Sequence, residues 1–270
     1  MLLGTFALKK AKTSLPWYDS NWLRCYVAAL RVIEQLRPSM RAEFIAAFDR
    51  LRTPPSFQVR KVNRVFDDVV MEVIRETIRS LPESHLEHHE IERFGRRVVH
   101  DLEIFNELQK TLLPLASELA GEALEPSYNF LSLYTELGVC QPHIDAPTAK
   151  WTLDVCIDQS DLWPIHFSQI VPWPDTASFE GSDWQERIKQ SPDLRFSAWA
   201  LKPGEAIWFS GSSQWHYRDN LAAKADKAFC NLLFFHFIPE GLSRIARPEN
   251  WPELFGLPEL AYVVGSPTRE

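Results

Sequence analysis

The stretch Gln141-Pro142-His143-Ile144-Asp145-Ala146 sets an imidazole and a carboxylate two residues apart. On an extended backbone alternate side chains point to the same side, so His143 and Asp145 can meet a single ion. The tripeptide is weak evidence by itself, because 8 His and 14 Asp among 270 residues give about 0.4 such pairs by chance. A third donor strengthens it: "SSQWHYRDN" supplies His216 just after "LKPGEAIWFSG", a Pro-Gly turn followed by a β-rich segment. Two histidines and one carboxylate on one face of an octahedron leave three positions open, which suits non-haem Fe(II) and oxygen chemistry. Zinc more often takes a tetrahedral set of Cys and His ligands.

The elements that must position these residues change character along the chain. Apolar residues recur at helical spacing from about 21 to 36, from 39 to 51 and from 65 to 81, with Pro38 and Pro54-Pro55 as punctuation. A fourth helix is expected from Asp101, read as its N-cap, through Leu108, Leu112 and Leu115 to a stop at Gly121. After Pro126 the period shortens towards 2, with "YNFLSLYTEL", "WTLDVCI", "WPIHFSQI", "RFSAWALK", "EAIWFS" and "AFCNLLFFHFI" as strands. Short strands between Pro and Gly turns predict a sandwich or a jelly-roll barrel rather than a parallel sheet with crossover helices. The fold class is therefore α+β: a mainly helical region over 1–125, a β core over 126–240 and a C-terminal extension over 241–270. A polar and aromatic insertion interrupts the core near 172–195 and is expected to hold one short helix.

A net charge of -7 and a pI near 5.7 argue against nucleic acid as partner. The N-terminal apolar run is too short for a signal peptide, and no run reaches the roughly 18 apolar residues of a membrane span. The expectation is a cytoplasmic protein that spans no membrane. Cys25, Cys140, Cys156 and Cys230 are dispersed with no C-x-x-C pair, which reads as reduced thiols.

The ordered set "SLYTELGVCQPHID", "LKPGEAIWFSGSSQWHYRD" and "KADKAFCNLLFFHFIP" resembles the iron(II)- and 2-oxoglutarate-dependent dioxygenases over residues 127 to 239. The first hundred residues carry no such resemblance. It implies a double-stranded β-helix (jelly-roll) core packed against an N-terminal helical layer. It further implies that His143, Asp145 and His216 bind Fe(II), that 2-oxoglutarate chelates the same ion as cosubstrate, and that one site is left for O2. In that family a basic residue opening the last core strand holds the far carboxylate of the cosubstrate, and Lys227 stands in that place. Lysine offers a point charge where arginine offers a fork, so a helper hydroxyl is wanted, and Tyr134 is the first choice. Lys224 is the fallback anchor. The implied reaction is hydroxylation of an unactivated carbon, since Asp145 fills the position that halide takes in related halogenases; desaturation and ring closure use the same ligands.

Other residues keep a functional and a plain reading side by side. Asn231 shares the side of Lys227 by strand alternation and either touches the cosubstrate or bridges strands. Arg218 either meets an anionic substrate or ends a strand at the surface. "FGRRVVHD" at 94–101 reads as an extra strand flanking the core, bringing Arg96 or Arg97 near the pocket. Trp173, Phe179 and Trp184 in the insertion either close over substrate or dock the loop on the helices. The cluster His85, His88, His89 suggests zinc only if His85 and His89 share a helix face. His166 and His236 read as core or near-site histidines. The expected substrate is a small polar or amino-acid-derived metabolite, with a homodimer formed through the helical region. A protein or peptide hydroxylase and a non-catalytic jelly-roll binding protein are the competing readings.

Overall fold

The computed structural model describes residues 21–173, 184–221 and 227–263. In chain order the elements are helix α1 (Asn21–Leu36), α2 (Arg41–Ala46), strand β1 (Arg60–Val62), α3 (Asp68–Ser80), α4 (Ile91–Phe94), β2 (Arg96–His100), α5 (Glu103–Ala120) and β3 (Leu124–Tyr134). They continue with β4 (Cys140–His143), β5 (Trp151–Gln159), β6 (Ile165–Phe167), α6 (Trp184–Lys189), β7 (Ser197–Trp199), β8 (Ala206–Phe209), β9 (His216–Arg218), β10 (Cys230–Pro239) and α7 (Trp251–Leu254).

Apolar spacing explains the helices. Trp22, Tyr26, Ala29 and Ile33 recur every three or four residues on α1 and are all buried. On α5 the buried positions are Phe105, Gln109, Leu112 and Ala116, and the helix ends at Gly121, whose left-handed φ of 71° suits a residue without Cβ. The expected helix from 39 to 51 is broken into two 3-10 turns flanking α2. Phe44, Phe48 and Leu51 still share one buried face, so the periodicity reported the packing and not continuous hydrogen bonding. Asp101 does not cap α5: it takes a φ of 49° and its Oδ1 accepts from the backbone N–H of Asn129, tying the helix entry to β3.

Strands β3 to β10 form two facing antiparallel sheets. The larger has the order β1-β8-β5-β10-β3-β2 and the smaller β4-β9-β6-β7. The eight strands from β3 to β10 make the jelly roll, four to a sheet, and β1 and β2 extend the larger sheet at its two edges. Side-chain alternation divides the larger sheet by face. Leu131, Leu233, Phe235 and Phe237 pack outwards with Met71 and Ile74 of α3 and Phe105 and Leu112 of α5. Tyr134, Cys230 and Leu232 point inwards, where Ile165 and Phe167 of the smaller sheet meet them.

A third cluster joins α1 and the Phe44–Phe48 turn to the C-terminal residues Trp251, Leu257 and Leu260. The Trp22 indole N–H donates to the carbonyl of Ala246 at 2.6 Å. The C-terminal segment therefore shares its core with the N-terminal helices. Among the described residues no helix is long and apolar enough to cross a membrane.

Candidate metal centre and its cavity

β4 and β9 are neighbours in the smaller sheet, and their register sets His143 opposite His216. The two imidazole centroids are 4.1 Å apart. Each ring is oriented by its own chain two residues back: Nδ1 of His143 donates to the Gln141 carbonyl at 2.8 Å, and Nδ1 of His216 to the Gln214 carbonyl at 3.0 Å. With Nδ1 bound to a carbonyl, Nε2 is the atom each ring turns towards the site. Both Nε2 atoms face Asp145, at 3.4 Å from Oδ1 for His143 and 3.6 Å from Oδ2 for His216.

Asp145 sits just past β4, and its backbone N–H donates to the Gly211 carbonyl at 2.9 Å. Gly211 is required here for space: a Cβ at that position would lie 2.4 Å from Asp145 Oδ2 and 2.6 Å from the Ala149 carbonyl oxygen. One donor atom from each of His143, Asp145 and His216 lies within 4.8 Å of the others, and among the described residues this is the metal-capable group. Two imidazole nitrogens, one carboxylate and the carbonyl hydrogen bonds that orient each ring fit a divalent first-row cation with open positions, which would displace any proton on Nε2.

Electrostatics agree with a site that wants a cation. Burial opposes the charge of Asp145, but His216 and His143 outweigh it and hold the carboxyl well below its usual range. Burial also opposes the charge of His143, yet Cys140 and Asp145 raise its pKa well above the ordinary histidine value. His216 goes the other way, pushed down to about 4 by burial and by the neighbouring His143.

The triad opens on a cavity of about 200 Å³ between the two sheets. Its wall on the larger sheet is aromatic: Tyr128 stacks on His236 across β3 and β10 with centroids 4.1 Å apart, and Phe130 stacks on Phe234 at 4.6 Å. Burial keeps the Tyr128 hydroxyl protonated and pushes His236 down to about 4, so both are neutral near pH 7. The Nδ1 of His236 is buried with no hydrogen-bond partner among the described residues. Sequence reading did not single out Tyr128, Phe130 or Phe234. The signal was available in strand parity, since positions 128, 130, 132 and 134 share a face with Tyr134, and 234 and 236 share one with His236.

Two arginines line the same cavity. Arg218 is not a surface residue: it is 3% exposed, donates from Nη2 to Asp154 Oδ2 at 2.7 Å and from Nη1 to the Trp163 carbonyl. Arg96 points in from β2, as one of the two options for that strand, while Arg97 turns out towards Glu83. Tyr134 lies inside beside Arg96.

The carboxylate anchors expected at the last strand stand apart from the triad's cavity. Lys227 lies ahead of β10, is exposed and does not line the cavity. Asn231 pairs with Leu133 and has the parity of Leu233, Phe235 and Phe237, so it belongs to the face turned towards the helices. Lys224 lies outside the described residues. The inward positions of β10 are Cys230, Leu232, Phe234 and His236, and no cation is among them.

The remaining expectations fall on either side. Trp173 docks on the helices, with its ring centroid 5.2 Å from that of Trp22 and 4.4 Å from the Arg52 guanidinium. Phe179 lies outside the described residues, and Trp184 begins α6. His85 ends a 3-10 turn, and His88 and His89 sit exposed near Glu83 and Glu87, so His85 and His89 share no helix face. His166 stacks on Tyr217 and neighbours Asp219, away from the triad.

No family model matches the chain, and no curated protein matches it. Solved structures do resemble it. One is the non-heme alpha ketoglutarate dependent epimerase SnoN from nogalamycin biosynthesis, with a TM-score of 0.51 and 16% identity, covering 76% of this chain and 88% of that one. Another is HygX from Streptomyces hygroscopicus with nickel, 2-oxoglutarate and hygromycin B bound, with a TM-score of 0.50 and 14% identity, covering 73% and 86%. At this identity the likeness establishes a shared fold, the jelly roll of the non-heme 2-oxoglutarate-dependent enzymes.

Proposed function

We propose that this chain is an Fe(II)- and 2-oxoglutarate-dependent oxygenase that hydroxylates a carbon of a small polar molecule. The observation that carries the reading is the convergence of His143 Nε2, His216 Nε2 and the Asp145 carboxylate at the wall of an internal cavity. When bound, iron with the 2-oxo acid supplies oxidation by dioxygen at an otherwise unreactive C–H bond.

The protein's own contribution is positional. The carbonyls of Gln141 and Gln214 keep both imidazoles in the metal-binding tautomer, and Gly211 leaves room for the carboxylate beside them. Phe130, Phe209 and Phe234 line the cavity and exclude water from the reacting carbon. The Tyr128 hydroxyl and the His236 ring give that apolar wall two polar points at which a hydroxyl or carbonyl of the substrate can be oriented. A cavity of about 200 Å³ is smaller than the 300–1,000 Å³ typical of drug-sized ligands, which supports a small molecule over a polypeptide laid in a groove. SnoN is named an epimerase, so hydroxylation is the reading this donor set favours without being the outcome of the fold alone.

The test is anaerobic addition of Fe(II) and 2-oxoglutarate, with the visible charge-transfer band of the chelate as readout. The band is expected in the intact protein and absent in Asp145→Ala. A well-folded intact protein that binds neither would favour the non-catalytic binding reading. Consumption of 2-oxoglutarate across a panel of small polyols, amino acids and their derivatives then selects the substrate.

A further inference from the structure

The cavity must also receive the far carboxylate of a 2-oxo diacid, and the last strand offers no cation for it. Three residues stand at one level across adjacent strands of the larger sheet: Arg96 of β2 is paired with Tyr134 of β3, which is paired with Cys230 of β10. Lys227 is three residues before that level, roughly 10 Å along an extended chain. Cys230 occupies the inward place at the start of β10 and is fully buried.

Arg96 supplies the charge that Cys230 lacks. Its Nε donates to the Glu90 carboxylate, and its Nη1 donates to Tyr134 Oη at 2.8 Å and lies 3.3 Å from Ser132 Oγ. The guanidinium is also laid over the rings of Phe94 and Phe130, at 5.1 and 5.5 Å. These contacts fix its plane and use Nε and Nη1, so that among the described residues Nη2 makes no hydrogen bond, on a side chain that is 15% exposed and lines the cavity. Because Tyr134 Oη accepts from Arg96, its phenolic hydrogen is a donor, with Ser132 as its neighbour in the same cluster. A guanidinium edge and a hydroxyl side by side form a two-point carboxylate receptor. Arg218 differs, since both its Nη groups are spent on Asp154 and the Trp163 carbonyl. Cys140 connects the two ends of the site: its Sγ lies 3.8 Å from Nδ1 of His143, and it lines the cavity with Arg96.

Resting on the oxygenase reading, we infer that Arg96 and Tyr134 hold the far carboxylate of the 2-oxo diacid, so that the anchor comes from the added edge strand β2 and not from the segment before the last strand. Glu90 accepts from Nε and fixes that side of the guanidinium.

The test compares 2-oxoglutarate with 2-oxobutyrate, which keeps the chelating 2-oxo acid and lacks the far carboxylate. Each is titrated anaerobically into the Fe(II)-loaded protein and followed by the charge-transfer band, with circular dichroism as the check on folding. The intact protein is expected to prefer 2-oxoglutarate. Arg96→Gln should reduce that preference about 10- to 100-fold, as for loss of a hydrogen-bonded charge, with 2-oxobutyrate affinity unchanged. Tyr134→Phe should reduce it about 5- to 10-fold by the loss of one hydrogen bond, and it keeps the test alive if Arg96→Gln does not fold. Lys227→Ala should leave it intact. An unchanged preference in a folded Arg96 or Tyr134 variant, or its collapse in Lys227→Ala, overturns the assignment alone. No band with either acid in the intact protein overturns the oxygenase reading, and the assignment with it.

Discussion

Gly211 and Asp145 are packed so closely that the glycine has no room for a side chain: a Cβ there would sit 2.4 Å from Asp145 Oδ2. Gly211 carries no positive φ, so its role is space and not backbone freedom. Its carbonyl also accepts the Asp145 backbone N–H, which places the carboxylate's position under the control of the turn after β8. The candidate metal site is thus built from the end of β4, the start of β9 and the glycine turn after β8.

Gly211→Ala should therefore push the Asp145 carboxylate off its two histidines. The expected result is at least a tenfold loss of affinity for Fe(II) or Mn(II), about 1.4 kcal/mol, with the fold retained. Calorimetric titration with Mn(II) measures it. Affinity equal to that of the parent would mean that the carboxylate is not where its packing against Gly211 puts it.

Arg218 and Asp154 give a second prediction. They are 3% and 0% exposed, and burial pushes the Asp154 carboxyl up even against the pull of Arg218. Removing one partner leaves an unpaired buried charge. Asp154→Ala should destabilise the fold by about 3–5 kcal/mol, whereas the double variant Asp154→Leu with Arg218→Met should recover much of the loss. Urea denaturation reads both, and a single variant as stable as the parent would remove the pair from the list of structural ion pairs.

Trp251 gives a third. It is fully buried against Trp22 and Phe48, at 5.3 and 5.4 Å between centroids, in the cluster that joins the two chain ends. Trp251→Ala should cost about 3–5 kcal/mol, as for other large aromatic truncations. If instead the C-terminal segment were a loosely attached tail, thermal melting would move by only a degree or two.

What the sequence disclosed and what it withheld follow from the range of the interactions involved. His143 and Asp145 are near in sequence, and period-2 alternation is enough to place them on one side of a strand. His216 became readable because its Pro-Gly turn and β-rich run mark where a strand begins. The inward face of β10 was not legible from Lys227, because that residue lies in a turn and strand alternation begins only at Cys230. Arg96 was harder still: its entry into the cavity depends on β2 pairing with β3, a contact between segments some 40 residues apart, and on Glu90 and Phe94 fixing the guanidinium. Asp101 looked like a helix cap from local pattern, and its bond to Asn129 on β3 is a tertiary contact that local pattern does not carry.

The acid-base behaviour of the triad yields the last prediction. Without metal, His143 has a pKa raised well above the ordinary value, chiefly by Cys140 and Asp145 acting against burial, so near neutral pH it carries a proton on the atom that must bind the ion. Metal binding then displaces that proton. Below the raised His143 pKa the apparent Mn(II) affinity should climb about tenfold per pH unit, and it should level off above it. His216, pushed down to about 4, is already neutral and adds no slope above pH 5. The stability of the metal-free protein runs the opposite way for His143: a raised pKa contributes stability that is fully present below the unfolded histidine value near 6.5 and is lost as pH rises through the folded value. Asp145, held low, contributes stability above the carboxylate range and loses it only in acid. Raising the pH from 6 to 8 should thus strengthen metal binding while weakening the apo fold. Calorimetry in buffers of different ionisation enthalpy counts the displaced proton, and a count of zero at pH 6 would show that His143 enters the site already neutral.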